Sequence, residues 1–189
     1  FFIDCTGFAR VLSSKMGIKW VSYQDHLLAN KAMPFLVDYT PATLSEAQPL
    51  TTARALSSGW MWDIPLKTRR GCGYVYNSDF LSEDQAHKEV ESVLGYAVSP
   101  IRHLSFNAGR AETLWSKNCI ASGVSAAFME PLEATSIHTT IHQMLGFASE
   151  YLYKTKKATT HLGNSTSYNN KFNGMYDSYK DFLNLHYQG

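Results

Sequence analysis

Residues 60–64, Trp-Met-Trp-Asp-Ile, constrain the fold of this chain more than any other stretch. Alternation with a period of two puts Trp60, Trp62 and Ile64 on one face of an extended strand. Pro65 has no N–H to give, so it limits the ladder that follows. Met33 to Tyr39 and Thr51 to Ser57 read as further strands. Gly71-Cys72-Gly73 reads as a turn and Tyr74-Val75-Tyr76 as a returning strand, so residues 51–77 are expected to form an antiparallel meander. Phe1 to Ile3 reads as a short buried strand that turns at Asp4-Cys5-Thr6-Gly7.

Helical signals follow the meander. Ser82-Glu83-Asp84-Gln85 fits a capping box, with Ala86, Val90, Val93 and Leu94 at helical spacing and Gly95 as the stop. A second helix is expected from about Thr135 to Tyr153, packing through Ile137, Ile141, Met144, Leu145, Ala148 and Leu152. Residues 155–174 are rich in Asn, Ser, Thr and Lys and read as a long loop, before a short amphipathic helix carrying Tyr176, Tyr179, Phe182, Leu183 and Tyr187.

Composition narrows the function classes. With 189 residues, one domain is expected, burying roughly two-thirds of its unfolded surface. The net charge of +1 offers no attraction to nucleic acid or to an anionic membrane. No apolar run approaches the roughly 18 residues that a membrane span needs. Cys5, Cys72 and Cys119 are odd in number and lack metal-ligand spacing, so neither a disulfide framework nor a zinc site is indicated, and cytosol is the expected compartment. The chain opens on Phe1 with an apolar run into Asp-Cys-Thr-Gly, which reads as an interior strand; a fragment of a longer protein is expected.

The chemistry concentrates in residues 118–138. A run of small residues, Ala121-Ser122-Gly123-Val124-Ser125-Ala126-Ala127, lets a ligand approach the backbone closely. Glu130 and Glu133 flank Pro131-Leu132, and Thr135-Ser136 stand where a helix begins. Free N–H groups at a helix start hold anions, so these two residues are candidate anion ligands; simple capping is the alternative. Glu130 reads either as a surface charge or as a hydrogen-bond partner for a turn. Trp60 and Trp62 either flank a planar ring or pack the sheet. His138 and His142 share a helix face but have no third metal ligand. Asn164-Ser165-Thr166 matches a glycosylation sequon by chance. No G-x-G-x-x-G, P-loop or nucleophile elbow occurs in the chain.

Several segments, in order, resemble the flavin-dependent tryptophan halogenases. They are Phe2-Ile3-Asp4-Cys5-Thr6-Gly7-Phe8, the W-x-W-x-I-P signature in Trp60 to Pro65, Gly73 to Phe80, Phe106-Asn107-Ala108-Gly109-Arg110, Trp115, Lys117-Asn118-Cys119 and the loop ending Glu130-Pro131-Leu132-Glu133. The resemblance implies an α/β chain, here a mixed α+β fragment of an FAD-binding, flavin-monooxygenase-like fold, with an antiparallel substrate-domain sheet followed by helices. Residues 1–189 would form a single partial domain from the centre of the enzyme. It further implies FAD, used as FADH2 from a separate flavin reductase, with dioxygen and chloride or bromide as co-substrates. These generate hypohalous acid, which halogenates an electron-rich aromatic such as tryptophan or another indole.

Carried over by motif, Glu133 is the catalytic glutamate, and Thr135 and Ser136 supply the halide-binding amides. Asp4, Thr6, Gly7, Gly123, Ala126 and Ala127 lie toward the flavin, while Trp60, Trp62, Ile64 and Pro65 are the signature residues. The chain departs from the family pattern at Ala127, Ala134 and Ser136, where many members have Gly, Ser and Gly. The family's glycine-rich FAD loop and catalytic lysine lie upstream of the segments matched here, so the fragment alone is expected to be inactive. A monooxygenase of the same fold and a non-catalytic halogenase-derived binding protein are the alternatives.

Overall fold

The structure, a computed structural model, describes residues 1–41, 44, 47–152 and 161–188. The chain forms two compact units, 1–27 with 107–189 and 28–106. The first unit begins with strand β1 (Phe2–Asp4), a short helix α1 (Val11–Lys15) and strand β2 (Trp20–Ser22).

The second unit is a five-stranded antiparallel sheet with one helix. Its elements are β3 (Lys31–Asp38), β4 (Thr52–Leu56), β5 (Gly59–Pro65), β6 (Arg69–Tyr76), helix α2 (Glu83–Leu94) and β7 (Leu104–Ser105), in sheet order β4-β5-β6-β3-β7. The meander expected over residues 51–77 is present as β4-β5-β6. The turn expected at Gly71-Cys72-Gly73 is not there: the chain reverses after Pro65, and all three residues lie inside β6.

Those glycines instead leave room. Trp62 pairs with Gly73 on one side and Ala53 on the other, and a Cβ on Gly73 would sit 2.1 Å from the Trp62 ring. Two small neighbours thus let the indole lie flat across the sheet. Trp60, opposite Val75, is 8 % exposed, with its ring centroid 6.1 Å from that of Trp62. The face carrying Met61 packs with Met33, Phe35, Tyr74 and Tyr76 against Ala86 and Val90 of α2. Helix α2 starts at the expected capping box: Ser82 Oγ accepts from Gln85 N, the Gln85 side chain accepts from Ser82 N, and Gly95 ends the helix with φ 77°. Glu89 of the same helix accepts from the Tyr74 hydroxyl at 2.9 Å and from Ser57 N at 2.8 Å, fastening the β4–β5 turn.

The first unit resumes with β8 (Gly109–Ala111), β9 (Trp115–Ser116), β10 (Cys119–Ala121), β11 (Ala127–Phe128), helix α3 (Thr135–Gly146) and helix α4 (His161–Leu185). One sheet has the order β1-β10-β9, with β1 parallel to β10; the other, β11-β8-β2, is antiparallel. Helix α3 continues as a π-helical stretch, Phe147–Leu152.

Two helical expectations need correction. The inward face of α3 is Thr135, Thr139 and Gln143, whereas Ile137, Ile141 and Leu145 are 66 %, 55 % and 65 % exposed. The polar face can turn in because Thr139 and Gln143 are paired there. Thr139 Oγ1 donates to the Thr135 carbonyl at 2.8 Å, Gln143 Nε2 donates to the Ala121 carbonyl at 3.0 Å, and Tyr176 donates to Gln143 Oε1 at 3.2 Å. Buried polar groups are tolerated when paired in this way.

Second, the loop expected over 155–174 gives way, from His161 onward, to α4; residues 153–160 lie outside the described residues. Tyr168, Phe172, Tyr176 and Leu183 form the buried stripe of α4. They pack with Trp115, whose ring meets Tyr168 edge-on at 5.4 Å and Phe147 at 5.6 Å.

Side chains of α4 also finish the sheets. Asn169 Oδ1 accepts from the Leu114 and Trp115 amides at 3.0 and 2.8 Å, and its Nδ2 donates to the Trp115 carbonyl at 3.0 Å. Asp177 accepts a forked pair from Arg110 on β8, at 2.9 and 3.0 Å, and a third bond from the Tyr23 hydroxyl at 2.6 Å. Burial, outweighed by these donors, leaves the Asp177 carboxyl below its ordinary value, while burial and the bond to Asp177 push the Tyr23 phenol well up. No helix among the described residues is long and apolar enough to cross a membrane.

Candidate functional site

The small-residue loop runs from the end of β10 to the start of α3. Ser122 N donates to the Asp4 carbonyl at 3.0 Å, so this loop and the turn after β1 lie side by side. Asp4 organises that junction. Fully buried, it accepts from Thr6 N and Oγ1 through Oδ1, at 3.2 and 2.6 Å, and from Ser13 N and Oγ through Oδ2, at 2.8 and 2.7 Å. Burial by itself would raise its pKa, but the combined hydrogen bonds from Thr6 and Ser13 win and hold it at about 2. Ser125 Oγ approaches the same carboxylate at 3.4 Å and donates to the Gly7 carbonyl at 3.1 Å.

The expected cofactor-side residues therefore divide. Asp4 and Thr6 spend their polar groups on shaping the turn, and Ala126 and Ala127 are core residues, 0 % and 4 % exposed. Gly7 and Gly123, at φ 67° and 61°, present open backbone: a Cβ on Gly7 would meet nothing within 4 Å, and one on Gly123 only Thr140 Oγ1 at 4.0 Å. These two glycines leave their backbone open to close approach.

The strongest local signal lies at Glu133 and Ala134. Both adopt the left-handed conformation, at φ 57° and 50°, and neither is glycine. Such positions cost on the order of 1–3 kcal/mol each and persist where the surroundings impose them. Ala134 N donates to the Pro131 carbonyl at 3.1 Å, and Thr135 then enters the right-handed region at φ −53°, ψ −36°. A left-handed residue followed by a right-handed one turns successive N–H groups toward a common point, the concave arrangement that holds anions. Here it coincides with the N-terminus of a 12-residue helix, whose field has the same sign.

Capping does not account for the hydroxyls. Ala134 is the N-cap residue, and no side chain caps the helix. Thr135 Oγ1 and Ser136 Oγ are buried and have no hydrogen-bond partner among the described residues. Thr135 is 2 % exposed as a whole. Glu133, by contrast, is exposed beside them.

Glu130 is not the surface charge that one of its two sequence readings suggests. It is 1 % exposed, and the Tyr187 hydroxyl lies 2.8 and 2.7 Å from its two carboxylate oxygens. The sequence assigns no role to Gln143 and gives Tyr187 only as a member of the last amphipathic helix. The i, i+4, i+8 spacing of Thr135, Thr139 and Gln143 was the available signal for the first, while nothing local marks the second. Trp60, Trp62, Ile64 and Pro65 belong to the other unit, where Trp60 Nε1 is buried and without a partner among the described residues. His138 and His142 lie 6.1 Å apart, ring to ring, on the exposed side of α3, and among the described residues no cluster of three or more His, Cys, Asp and Glu could hold a metal ion.

The geometry can be set beside known proteins. The family model for tryptophan halogenase matches residues 1–189. The 7-chloro-L-tryptophan 6-halogenase KtzR of Kutzneria sp. (strain 744) is 37 % identical over 194 residues, an alignment covering 100 % of this chain and 36 % of KtzR. Among solved structures, the tryptophan 6-halogenase SttH of Streptomyces toxytricini superposes with a TM-score of 0.88 at 34 % identity, covering 100 % of this chain and 37 % of that one. BrvH, a flavin-dependent halogenase from Brevundimonas sp. BAL3, gives the same TM-score at 30 % identity, with 100 % and 37 % covered. The chain thus spans little more than a third of the length of these relatives. With the whole chain matched and the mixed α/β fold shared, it belongs to the tryptophan halogenase family.

Proposed function

We propose that the protein to which this chain belongs halogenates tryptophan or another indole, using FADH2 from a separate reductase, dioxygen, and chloride or bromide. The observation that carries this reading is the left-handed Glu133–Ala134 pair leading into α3, with the Thr135 and Ser136 hydroxyls buried and unpartnered. A halide suits that place: it is a monatomic anion, it takes hydrogen bonds from any direction, and it needs no counter-cation where N–H groups already converge.

Gly7 and Gly123 would face the flavin. When bound in its reduced form, the flavin supplies with dioxygen the two-electron oxidation that makes hypohalous acid from the halide. The backbone amides of Thr135 and Ser136 hold the halide at the start of that chemistry. Exposed Glu133, two residues before Thr135, positions the oxidant or accepts the proton that leaves the aromatic carbon as the carbon–halogen bond forms.

Bromide makes the site directly testable. Crystals grown in bromide should give an anomalous peak within hydrogen-bond reach of the Thr135 and Ser136 amides. Saturating bromide without a peak there removes these amides from the reading.

A further inference from the structure

We infer that Tyr187 and Glu130 form a positioning pair that keeps the strained Glu133–Ala134 turn, and so the Thr135 and Ser136 amides, in halide-binding geometry. This rests on the function proposed above. Two left-handed non-glycine residues in succession relax unless both ends of the segment are fixed. At its far end the segment enters α3, whose inward side is held by Thr139 and by Gln143, bonded to the Ala121 carbonyl and to Tyr176.

The near end is Glu130, separated from Glu133 only by Pro131 and Leu132. Pro131 has its φ locked, at −69°, and its carbonyl is taken by Ala134 N. Little freedom therefore remains between the Glu130 side chain and the left-handed pair.

One partner of Glu130 is Tyr187, two residues past the end of α4. The Tyr187 hydroxyl reaches both carboxylate oxygens at hydrogen-bond distance, a charge-assisted contact between a 1 % exposed carboxylate and a tyrosine that is 44 % exposed. The backbone that carries Tyr187 continues the turn of α4. The Tyr187 amide donates to the Asn184 carbonyl at 3.1 Å and that of His186 to the Leu183 carbonyl at 3.0 Å, so the helical turn continues past fully buried Leu183. Farther back, Asn169 and Asp177 tie α4 to the β9 and β8 strands. The phenol thus sits on a rod of about 37 Å, anchored along its length, and transmits the position of that rod to the halide loop.

A fastening that only stabilised the fold would lower the fraction of active enzyme and leave the halide response of the remainder unchanged. The halide concentration at half-maximal turnover separates the two roles, because it does not depend on how much enzyme is folded. In the full-length enzyme, Tyr187→Phe keeps the ring and loses the hydroxyl. Half-saturation should then rise roughly tenfold, the scale of one hydrogen bond to a charged group. Glu130→Gln should shift it the same way, and the double variant should be no worse than the more affected single one.

A halide-dependent wild type whose half-saturation is unmoved in Tyr187→Phe overturns the pair while leaving the proposed function standing. So does strict additivity of the two substitutions. A wild type whose turnover shows no halide dependence removes the proposed function and the pair together.

Discussion

Asp4 gives the sharpest quantitative expectation. Its carboxylate is fully buried, accepts four bonds from Thr6 and Ser13, and is held at about 2 against an ordinary value of 3.8. At about 1.36 kcal/mol per pH unit, that difference corresponds to about 2 kcal/mol of folding stability carried by the ionised form. The sign follows from the direction. A carboxyl with a depressed folded-state pKa contributes fully above its unfolded pKa, near 3.9, and the contribution is lost as the pH falls through about 2. Asp4→Asn keeps the size and one acceptor but removes the charge, and its amide N–H groups face the Ser13 or Thr6 donors. Denaturant unfolding of both proteins between pH 7 and pH 2 measures the difference. The wild type should be more stable by about 2 kcal/mol at pH 7, with the gap closing between pH 4 and 2. Parallel pH profiles, or a variant as stable as wild type at pH 7, would refute the account of Asp4 as the carboxylate that organises this turn.

Other positions give independent checks. Asp177→Ala abandons the Arg110 fork and the Tyr23 hydroxyl, and should cost about 2–3 kcal/mol in denaturant unfolding, the range for hydrogen bonds to a charged group; a change below about 0.5 kcal/mol, typical of a surface site, would contradict its role in seating α4. Gly73→Ala places a methyl 2.1 Å from the Trp62 ring and should cost about 1–3 kcal/mol by overpacking, with a shift in tryptophan fluorescence; a silent substitution would mean that the indole does not lie across residue 73. In the full-length enzyme, Glu133→Gln should retain flavin binding and lose most halogenation, and undiminished turnover would take Glu133 out of the chemistry.

Sequence legibility tracked how local each determinant is. The capping box at Ser82 and Gln85 involves four neighbouring residues and appears as read. The Trp60-Trp62-Ile64 alternation likewise fixes β5 within its own span. Helix α3 begins where expected, but which side turns inward was decided elsewhere, by the Ala121 carbonyl and by Tyr176. Burying a paired Gln143 is permissible, so a rule that apolar residues go inside selected the wrong face.

The polar stretch before Tyr176 misled for a related reason. Asn169 and Asn173 read as loop formers, yet each donates a hydrogen bond from its carboxamide to the backbone of the neighbouring strand region. Tyr168, Phe172 and Tyr176 already carried the spacing of four that marks a helix, and dividing the segment at 174 hid it. In the loop before α3, residue types point to an anion site. The left-handed pair at Glu133 and Ala134 was not legible, because neither residue favours that conformation; the surrounding contacts impose it.

The pairing of β1 with β10 has a consequence for the order in which the protein assembles. Partners in that ladder, Phe2 with Cys119 and Asp4 with Ala121, are separated by more than a hundred residues of chain, and the whole of the second unit lies between them. That unit is an insertion whose two ends already meet, through Phe106 N and the Asn30 carbonyl at 2.9 Å. All four of its ladders close within residues 31–105, so it can fold while residues 107–189 are still being added by the ribosome. The first unit cannot: its opening strand waits, unpaired, until the segment after residue 118 arrives. During synthesis the inserted unit serves as a folded spacer that shortens the loop that the two halves of the first unit must close.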